Sequence, residues 1–542
     1  MEKKNIVNFI TFARGKNQAH PLDYMVEATR EQVELFKAHN FTSTVLLMYD
    51  AFIEPEFYNY LKPQVENGFT EVGLWFEIPA QLVEKAGLKW RGREGFTWDW
   101  FNDVGFLVGY TLEERKLLID TAMDGFKEIF GYYPKVVGSW HIDTFSLNYL
   151  SEKYGIIGSC MCRDQWGTDG YTIWGGYEPI YYPSKNNVLC PATTEQNRIN
   201  VPMLRMLGAD PIYQFDIPYM RDKWNYKEPI VGQITLEPTI LSTGKKTAYS
   251  GMDKNWSDWY FNMMVTDNAP FSYAQTGQEN GFGWFRIEQG IKQQCDLLDK
   301  HTADGSITVE KMSETCKWFA ENYKTTPCVT VDVKKDWMEQ GRKAVWYYSN
   351  YYRSSVLFED NHAWIRELRL FDENYKEPHL ETPCRTNATY YDNLPLVDGT
   401  LWSTKAEAND GIEQQGFAIS EKESRAGLYP VTDCGGEWKK VFINDISTLT
   451  EGENSTVTLN MQEDCIKVEY EKRKMTVKLP KTIALQLVHN NNNDIKDIKT
   501  KEIFYCHKGY EYSLKLKKGN ISDCGDGSAI ITAENGEISL EF

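Results

Sequence analysis

The fold is decided by the stretch Val136-Val-Gly-Ser-Trp-His-Ile-Asp-Thr-Phe-Ser146. It begins with apolar, β-branched residues, as a buried strand does, and becomes polar from Ser139 onward. Apolar residues then recur at helical spacing from Leu147 up to Gly155, which is a typical helix stop. A strand, a polar turn and a helix form the repeating unit of an α/β protein. Because catalytic groups of such barrels lie where strands end, Asp143 is the first candidate for chemistry.

The same alternation of strand-like and helix-like segments extends over residues 1–330. Residues 44–50 and 71–77 are apolar runs that finish on the carboxylates Asp50 and Glu77. Helix-like segments separate such strands, for example residues 28–39 and 111–130. Repeated alternation predicts an α/β domain with a parallel barrel. Because Asp50, Glu77 and Asp143 each end a strand, we expect the mouth of this barrel to be acidic.

The pattern changes near Ala344. Residues 364–370, 456–460 and 466–470 alternate between apolar and polar side chains with period two. No long amphipathic helix separates these segments, which predicts an antiparallel β-sandwich. The sequence therefore predicts a barrel over residues 1–330 and a β-rich region over residues 331–542.

Composition limits the classes of partner. The 542 residues carry a formal charge of -18, which disfavours nucleic acid and anionic membranes. From the short, interrupted apolar run at the N-terminus we expect no signal peptide and no transmembrane helix. With the 11 cysteines scattered, we expect a cytoplasmic protein with reduced thiols. The 14% aromatic content favours a carbohydrate partner, although a large aromatic core explains it equally well. Composition does not indicate an oligomeric state.

A family resemblance follows from these residues. The stretch Gly131-Tyr-Tyr-Pro-Lys-Val-Val-Gly-Ser-Trp-His-Ile-Asp143, after strands ending at Asp50 and Glu77, resembles the polysaccharide deacetylase core. That barrel is usually seven-stranded and is shared with glycoside hydrolase families 38 and 57, which carry β-rich C-terminal domains. The resemblance thus implies a (β/α)7-type barrel followed by a C-terminal β-sandwich. Trp140-His-Ile-Asp143 is also similar to the W-Q-I-D motif of family 38 α-mannosidases, in which the Asp is the nucleophile.

A wider resemblance, over about residues 5 to 380, links the chain to a group of bacterial proteins of this barrel type. It brings no activity with it, and the segments that carry it are Trp90-Arg-Gly-Arg93, Asp164-Gln-Trp-Gly-Thr-Asp-Gly-Tyr171, Trp174-Gly-Gly-Tyr177 and Gln278-Glu-Asn-Gly-Phe-Gly-Trp284.

The chain departs from the metal-dependent members of this superfamily. Deacetylases of this fold use an Asp with a His-x-x-x-His pair, whereas the corresponding position here reads Trp75-Phe-Glu77. The His-x-Asp zinc motif of family 38 likewise has no counterpart near residues 9–14. We therefore expect no metal, and in the absence of nucleotide-binding motifs we expect no other cofactor.

Glycoside hydrolysis requires two carboxyl groups, about 5 Å apart in retaining enzymes and about 6.5–9.5 Å apart in inverting ones. Asp143 is the predicted nucleophile, and its alternative role is a helix cap. Glu279 is one candidate acid, alternatively a loop carboxylate that binds backbone amides. Glu77 is the rival acid, because an aromatic neighbourhood raises the pKa of a carboxyl group, and its alternative is a salt bridge to Arg91 or Arg93.

Other polar and aromatic residues near strand ends are candidate sugar contacts, with burial in the core as the alternative for each aromatic. They are Asp50, Trp75, Trp140, His141, Asp164, Gln165, Asp169, Trp174, Tyr177, Asp210, Glu237 and Gln278.

The sequence thus predicts a metal-independent, retaining glycoside hydrolase acting on an oligosaccharide or glycan. Two alternatives remain open: a deacetylase-like enzyme without the usual metal triad, and a glycan-binding protein without catalysis. The distance between paired carboxyl groups separates the hydrolase from the binding protein.

Overall fold

The computed structural model describes residues 3–168, 170–216, 234–242, 245–248, 250–399, 426–489, 495–525 and 528–542. None of the helices within these ranges is long and apolar enough to cross a membrane. All eleven cysteines lie in the described ranges and are free thiols.

The first part of the chain alternates strands and helices. Its strands are β1 (Lys4–Ala13), β2 (Ser43–Leu47), β3 (Thr70–Trp75), β4 (Val136–Gly138), β5 (Gly158–Cys162), β6 (Gln165–Thr168), β7 (Tyr171–Ile173), β8 (Ile180–Tyr181), β9 (Met203–Met206), β10 (Ile240–Ser242), β11 (Lys245–Ala248), β12 (Phe271–Thr276) and β13 (Thr308–Val309). Its helices are α1 (Leu22–Ala38), α2 (Tyr49–Phe52), α3 (Pro55–Glu66), α4 (Ala80–Lys85), α5 (Asn102–Gly105), α6 (Leu112–Phe130), α7 (Thr144–Tyr154), α8 (Lys254–Thr266), α9 (Trp284–Ala303) and α10 (Met312–Asn322).

Seven parallel strands form a nearly closed, barrel-like sheet in the order β12-β1-β2-β3-β4-β5-β9. The sheet nearly closes where the amide of Gly208, after β9, donates to the carbonyl of Gln275 in β12 at 3.2 Å. This confirms the predicted α/β class with parallel strands. The connection from β5 to β9 departs from strict alternation, because its described residues form the short strands β6, β7 and β8 and no α-helix.

Helix α10 covers the amino ends of the barrel strands. Asn8 of β1 donates to the hydroxyl of Thr315 at 2.8 Å, and the amide of Met312 donates to the hydroxyl of Thr44 in β2 at 3.0 Å. Since this end is filled by a helix, the carboxyl ends of the strands remain as the position for a site.

The C-terminal part is built from antiparallel sheets. Its strands are β14 (Val329–Val333), β15 (Lys343–Tyr348), β16 (Tyr352–Glu359), β17 (His362–Leu370), β18 (Thr389–Tyr391), β19 (Leu394–Asp398), β20 (Gly427–Asp433), β21 (Trp438–Lys440), β22 (Asp445–Glu451), β23 (Asn454–Asn460), β24 (Cys465–Glu471), β25 (Lys474–Lys478), β26 (Ile483–Val488), β27 (Ile495–Lys499), β28 (Glu502–His507), β29 (Tyr510–Lys518), β30 (Asn520–Asp523), β31 (Ala529–Thr532) and β32 (Glu537–Glu541).

Two of these sheets are large, with ten and eight strands. Val345 and Val356 of the first sheet and Val457 and Val468 of the second belong to one hydrophobic cluster. The predicted antiparallel character of this region is therefore confirmed, whereas the division at residue 330 stays a prediction. Strand β18 also pairs in parallel with β7, which joins the C-terminal part to the loop after β5.

Candidate functional site

Arg14 lies at the centre of the candidate site, directly after β1. Its Nε and Nη2 donate to the two oxygens of Glu77 at 2.8 and 2.9 Å, and its Nη1 donates to Oε1 of Glu279 at 2.9 Å. Glu77 follows β3 and Glu279 follows β12, so the carboxyl ends of three parallel strands bring these charges together. Arg14, Glu77 and Glu279, together with Asp50 (described below), are called the Arg14 cluster.

Glu77 is the anchor of this cluster. In addition to Arg14, the indole nitrogens of Trp75 and Trp140 each donate to one of its oxygens at 2.9 Å. Four donors thus hold one buried carboxylate in a fixed position. The salt-bridge alternative therefore describes Glu77 better than the role of an acid, with Arg14 as the partner in place of Arg91 or Arg93.

Asp50 has the opposite environment. It lies after β2, is buried, and accepts one hydrogen bond at Oδ1 from the amide of Gly15 at 3.1 Å. Its Oδ2 has no hydrogen-bond partner among the described residues. Burial raises the pKa of Asp50 to about 7, although the Gly15 amide and the charge of Arg14 act in the other direction. Asp50 can therefore hold a proton up to about neutral pH.

Glu279 is the most accessible carboxylate of the cluster, with 13% of its side chain exposed. Its loop is fixed by Gln278, which donates to Glu237 at 2.8 Å and to Thr239 at 2.6 Å and accepts from the amide of Glu279 at 2.7 Å. Asn280 accepts a hydrogen bond from the amide of Arg14 at 3.0 Å. Gln278 and Glu237 thus support the site from behind Glu279.

Asp143, the predicted nucleophile, occupies the helix-cap position. It is fully buried, and its carboxylate accepts from the amide of Ser146 at 2.9 Å and the hydroxyl of Ser146 at 2.7 Å. Arg115, also fully buried, donates to the same carboxylate at 3.0 Å. The turn after β4 places this side chain at the start of α7, which is the alternative role of a helix cap. The nucleophile assignment of Asp143 stays a prediction, and our proposal below gives that role to Glu279.

Several predicted sugar contacts lie in buried ion pairs or caps. Asp164 contacts Arg205 at 3.1 Å and Arg353 at 2.8 Å, which joins the barrel to the C-terminal sheet. Asp210 accepts from two backbone amides at 2.8 and 2.9 Å, and from the indole of Trp256 at 3.1 Å. These contacts stabilise the fold and leave Asp164 and Asp210 away from solvent.

Several of the predicted aromatic and polar sugar contacts are likewise buried. Trp174 and Tyr177 are buried in the core, and Tyr177 donates to the carbonyl of Pro327. His141 is enclosed by the rings of Phe106, Tyr171 and Tyr391, and burial lowers its pKa to about 3, so its imidazole is neutral. Gln165 is also buried, and Asp169 lies outside the described residues.

Sequence reasoning missed Arg14 and Trp98. The guanidinium carbon of Arg14 lies 4.4 Å from the centroid of the Trp98 ring, which comes from the aromatic insertion after β3. Arg14 directly follows an apolar strand, which is the same signal that points to Asp50, but the local sequence does not show that its cation lies among carboxylates. Trp75 and Trp140 contact the cluster through their hydrogen bonds to Glu77, and their predicted contact with a sugar stays a prediction.

Two other features lie away from this cluster. Among the described residues, one group of three side chains has ligand atoms close enough to hold a metal ion, namely His39, Asp296 and Asp299. His39 precedes β2, so this group is at the opposite end of the barrel from the Arg14 cluster. A cavity of about 60 Å³ lies elsewhere, and its lining includes residues of β12 and β15. None of the four residues of the Arg14 cluster lines it.

No protein-family model matches the chain, and no curated protein matches it. Among solved structures, it is similar to a Parabacteroides distasonis protein described provisionally as a glycoside hydrolase/deacetylase, with a TM-score of 0.51 and 13% identity over 72% of this chain and 91% of that chain.

Two further similarities have TM-scores too low to support an argument. A protein of Mycobacterium smegmatis, described provisionally as a polysaccharide deacetylase, gives a TM-score of 0.35 at 11% identity over 60% of this chain and 93% of that one. A family 57 branching enzyme of Thermococcus kodakaraensis gives 0.30 at 12% identity over 60% and 72%. The similarity to the Parabacteroides distasonis protein shows a shared fold alone.

Proposed function

We propose that this chain is a carbohydrate-active hydrolase that cleaves a glycosidic bond with Asp50 and Glu279. The observation that carries this proposal is the contrast between two carboxyl groups beside one arginine. Glu279 accepts a hydrogen bond from the Arg14 guanidinium, whereas burial raises the pKa of Asp50 to about 7. One acid and one carboxylate are the pair that glycoside hydrolysis requires.

In this proposal Asp50 donates its proton to the departing glycosidic oxygen, and Glu279 attacks the anomeric carbon to form a glycosyl-enzyme. Water then hydrolyses that intermediate while Asp50 takes back a proton. Glu77 holds Arg14 in place through two hydrogen bonds, and Arg14 in turn orients Glu279. The carboxylates of the cluster need no metal for these steps. The fold shared with the Parabacteroides protein, which is described provisionally as a glycoside hydrolase/deacetylase, supports the proposal of a carbohydrate substrate.

The proposal is tested by a hydrolysis screen over aryl glycosides and oligosaccharides after treatment with a chelator. Glu279→Gln is expected to lower turnover at least 1,000-fold for all substrates, because an amide cannot attack. Asp50→Asn is expected to slow poor leaving groups far more than activated aryl ones, since only the former need a proton. Glu288→Gln, on an exposed face of α9, is the control.

Three outcomes would contradict the proposal. Unchanged turnover in Glu279→Gln would remove Glu279 from the chemistry. Release of acetate without cleavage of a glycosidic bond would favour the deacetylase alternative. Binding of oligosaccharides without turnover of any substrate would favour the glycan-binding alternative.

A further inference from the structure

Helix α1 presents two buried polar side chains to the loop that carries Glu279. Thr29 and Gln32 are almost fully buried, on the same helix as the buried apolar residues Met25 and Val33. Positions 25, 29, 32 and 33 share one face at helical spacing. Apolar side chains alone would pack this face, whereas a buried polar group costs free energy unless it is hydrogen-bonded. The hydrogen-bond partners of Thr29 and Gln32 therefore indicate what this face holds in place.

Gln32 holds the backbone of Gln278, the residue that precedes Glu279. Its Oε1 accepts from the amide of Gln278 at 3.0 Å, and its Nε2 donates to the carbonyl of Gln278 at 3.1 Å. Nε2 also donates to the carbonyl of Ala28 at 3.1 Å, one turn earlier in α1. One side-chain amide thus satisfies both backbone groups of Gln278 in a buried environment. The backbone beside Glu279 is therefore tied to α1.

Asn280 makes an equivalent two-point contact with the backbone of Arg14. Its Oδ1 accepts from the amide of Arg14 at 3.0 Å, and its Nδ2 donates to the carbonyl of Arg14 at 2.8 Å. Nδ2 also donates to the carbonyl of Met25 at 3.2 Å and to the hydroxyl of Thr29 at 3.3 Å. Asn280 is fully buried and directly follows Glu279. The residue next to Glu279 therefore holds the backbone of Arg14 and ties it to α1.

The side chains of Arg14 and Glu279 meet at 2.9 Å between these two backbone contacts. Resting on the function proposed above, we propose that Asn280 and Gln32 are positioning residues for catalysis. They set the separation of Arg14 and Glu279, and thereby the direction in which the Glu279 carboxylate meets the anomeric carbon. A displacement of about 1 Å at such a group costs about 100-fold in rate.

The test replaces each amide by an acid of the same size. Asn280→Asp turns the donor to the Arg14 carbonyl into a second oxygen, and Gln32→Glu does the same toward the Gln278 carbonyl. Both variants should lower kcat per folded molecule about 10- to 100-fold and leave KM within about twofold, since they displace the reacting carboxylate and no sugar contact. Gln32→Glu keeps the test possible where Asn280→Asp does not fold.

Asn187→Asp is the matched control. Asn187 is equally buried, accepts from the amide of Leu189 at 2.9 Å and donates to the carbonyl of Tyr375 at 3.1 Å. It lies between β8 and β9, and neither contact involves the Arg14 cluster. Losing this donor should destabilise the protein in the same way but leave kcat per folded molecule near the wild-type value.

A pH profile separates positioning from a general loss of stability. Burial beside carbonyl oxygens raises the pKa of the carboxyl group that Asn280→Asp introduces, and its protonated form can again donate a hydrogen bond. The ratio of kcat per folded molecule in Asn280→Asp to that in the wild type should therefore rise several-fold as pH falls from 8 to 5. The corresponding ratio for Asn187→Asp should not change.

Crystal structures of Asn280→Asp and Asn187→Asp at pH 8 give a readout that needs no activity. The distance from Arg14 Nη1 to Glu279 Oε1 should exceed about 3.5 Å in the first variant and stay at 2.9 Å in the second. An unchanged distance in Asn280→Asp, or equal losses of kcat per folded molecule in the two variants, would overturn the positioning role.

These outcomes differ from failure of the proposed function. A wild-type protein that cleaves no glycoside, with the Arg14–Glu279 contact broken in Asn280→Asp alone, supports the positioning and contradicts the hydrolase. Glycoside turnover that Glu279→Gln abolishes and Asn280→Asp leaves unchanged supports the hydrolase and contradicts the positioning.

Discussion

Arg14 donates one hydrogen bond from Nε and one from Nη2 to the two oxygens of Glu77, and both side chains are almost completely buried. A buried two-point contact between a guanidinium and a carboxylate fixes both groups in one geometry. Because Nη1 remains for Glu279, the position of the accessible carboxylate depends on this inner pair.

We therefore expect Arg14→Met to reduce the free energy of unfolding by about 3–5 kcal/mol, since it leaves the charge of Glu77 buried without its partner. Urea denaturation followed by circular dichroism measures this loss. The double variant with Glu77→Gln should lose less than the sum of the single variants. Lys317→Met breaks an exposed pair with Glu321 and should change stability little. An Arg14→Met protein as stable as the wild type would contradict the anchoring role of the pair.

The contacts of Asp143 predict a defect in stability and not in chemistry. Asp143→Asn keeps an acceptor for the Ser146 amide but leaves Arg115 buried without a counter-charge, which should cost about 3–5 kcal/mol. Turnover per folded molecule should stay near the wild-type value, in contrast to Glu279→Gln. The measurement is kcat corrected for the folded fraction. A stable Asp143→Asn protein with no turnover would restore the nucleophile assignment.

Asp50 makes stability depend on pH. Its pKa is raised by burial from 3.8 to about 7, so between about pH 4 and pH 7 the folded state binds a proton that the unfolded state has released. The free energy of unfolding therefore falls as pH rises through this window, by a few kcal/mol in order of magnitude, and is constant above it as far as Asp50 is concerned.

Asp50→Asn should remove this dependence. The free energy of unfolding of the variant minus that of the wild type should increase as pH rises from 4.5 to 7.5. This difference should stay constant at higher pH. Urea titrations at four pH values, taken as differences, cancel the contributions of Asp210 and Glu377, whose pKa values burial also raises. A difference that does not vary with pH would show that Asp50 titrates normally.

Replacing glycine by alanine should have opposite effects on stability at two positions. A Cβ at Gly15 would lie 2.4 Å from the carbonyl oxygen of Asp50, so Gly15→Ala should displace the segment after β1 from α2 and lower both stability and turnover. A Cβ at Gly125, within α6, would make ordinary contacts at 3.5 Å with Phe52. Gly125→Ala should therefore stabilise the protein by about 0.5–1 kcal/mol, because alanine favours helix. Thermal unfolding of both variants checks the sign of each effect.

Local sequence was sufficient for much of the barrel. Apolar runs that end on a carboxylate marked the carboxyl ends of β2 and β3, and Asp50 and Glu77 do follow these two strands. Period-two alternation likewise indicated the antiparallel strands of the C-terminal part. Both signals arise because the side chains that face a core must be apolar, and these side chains recur at regular spacing along each strand or helix.

The same local signal failed at Asp143, because a strand end and a helix start share this position. Whether the Asp143 side chain faces a site at the strand end or caps the helix depends on Arg115, which donates a hydrogen bond to it. Arg115 lies in α6, so its position follows from the packing of that helix. For Trp174 and Tyr177 the sequence leaves two alternatives, a platform for a sugar and a place in the core, and the tertiary structure buries both side chains in the core cluster.

The sequence by itself determined the α/β class, the antiparallel C-terminal part and the strand ends at which charges would stand. Only the tertiary structure decided which charges meet. Arg14 is 63 residues from Glu77 and 265 from Glu279, and no local period relates positions so far apart. Desolvation is also a property of the assembled barrel, so the proton of Asp50 depends on the folded state and not on the residues beside it in the chain.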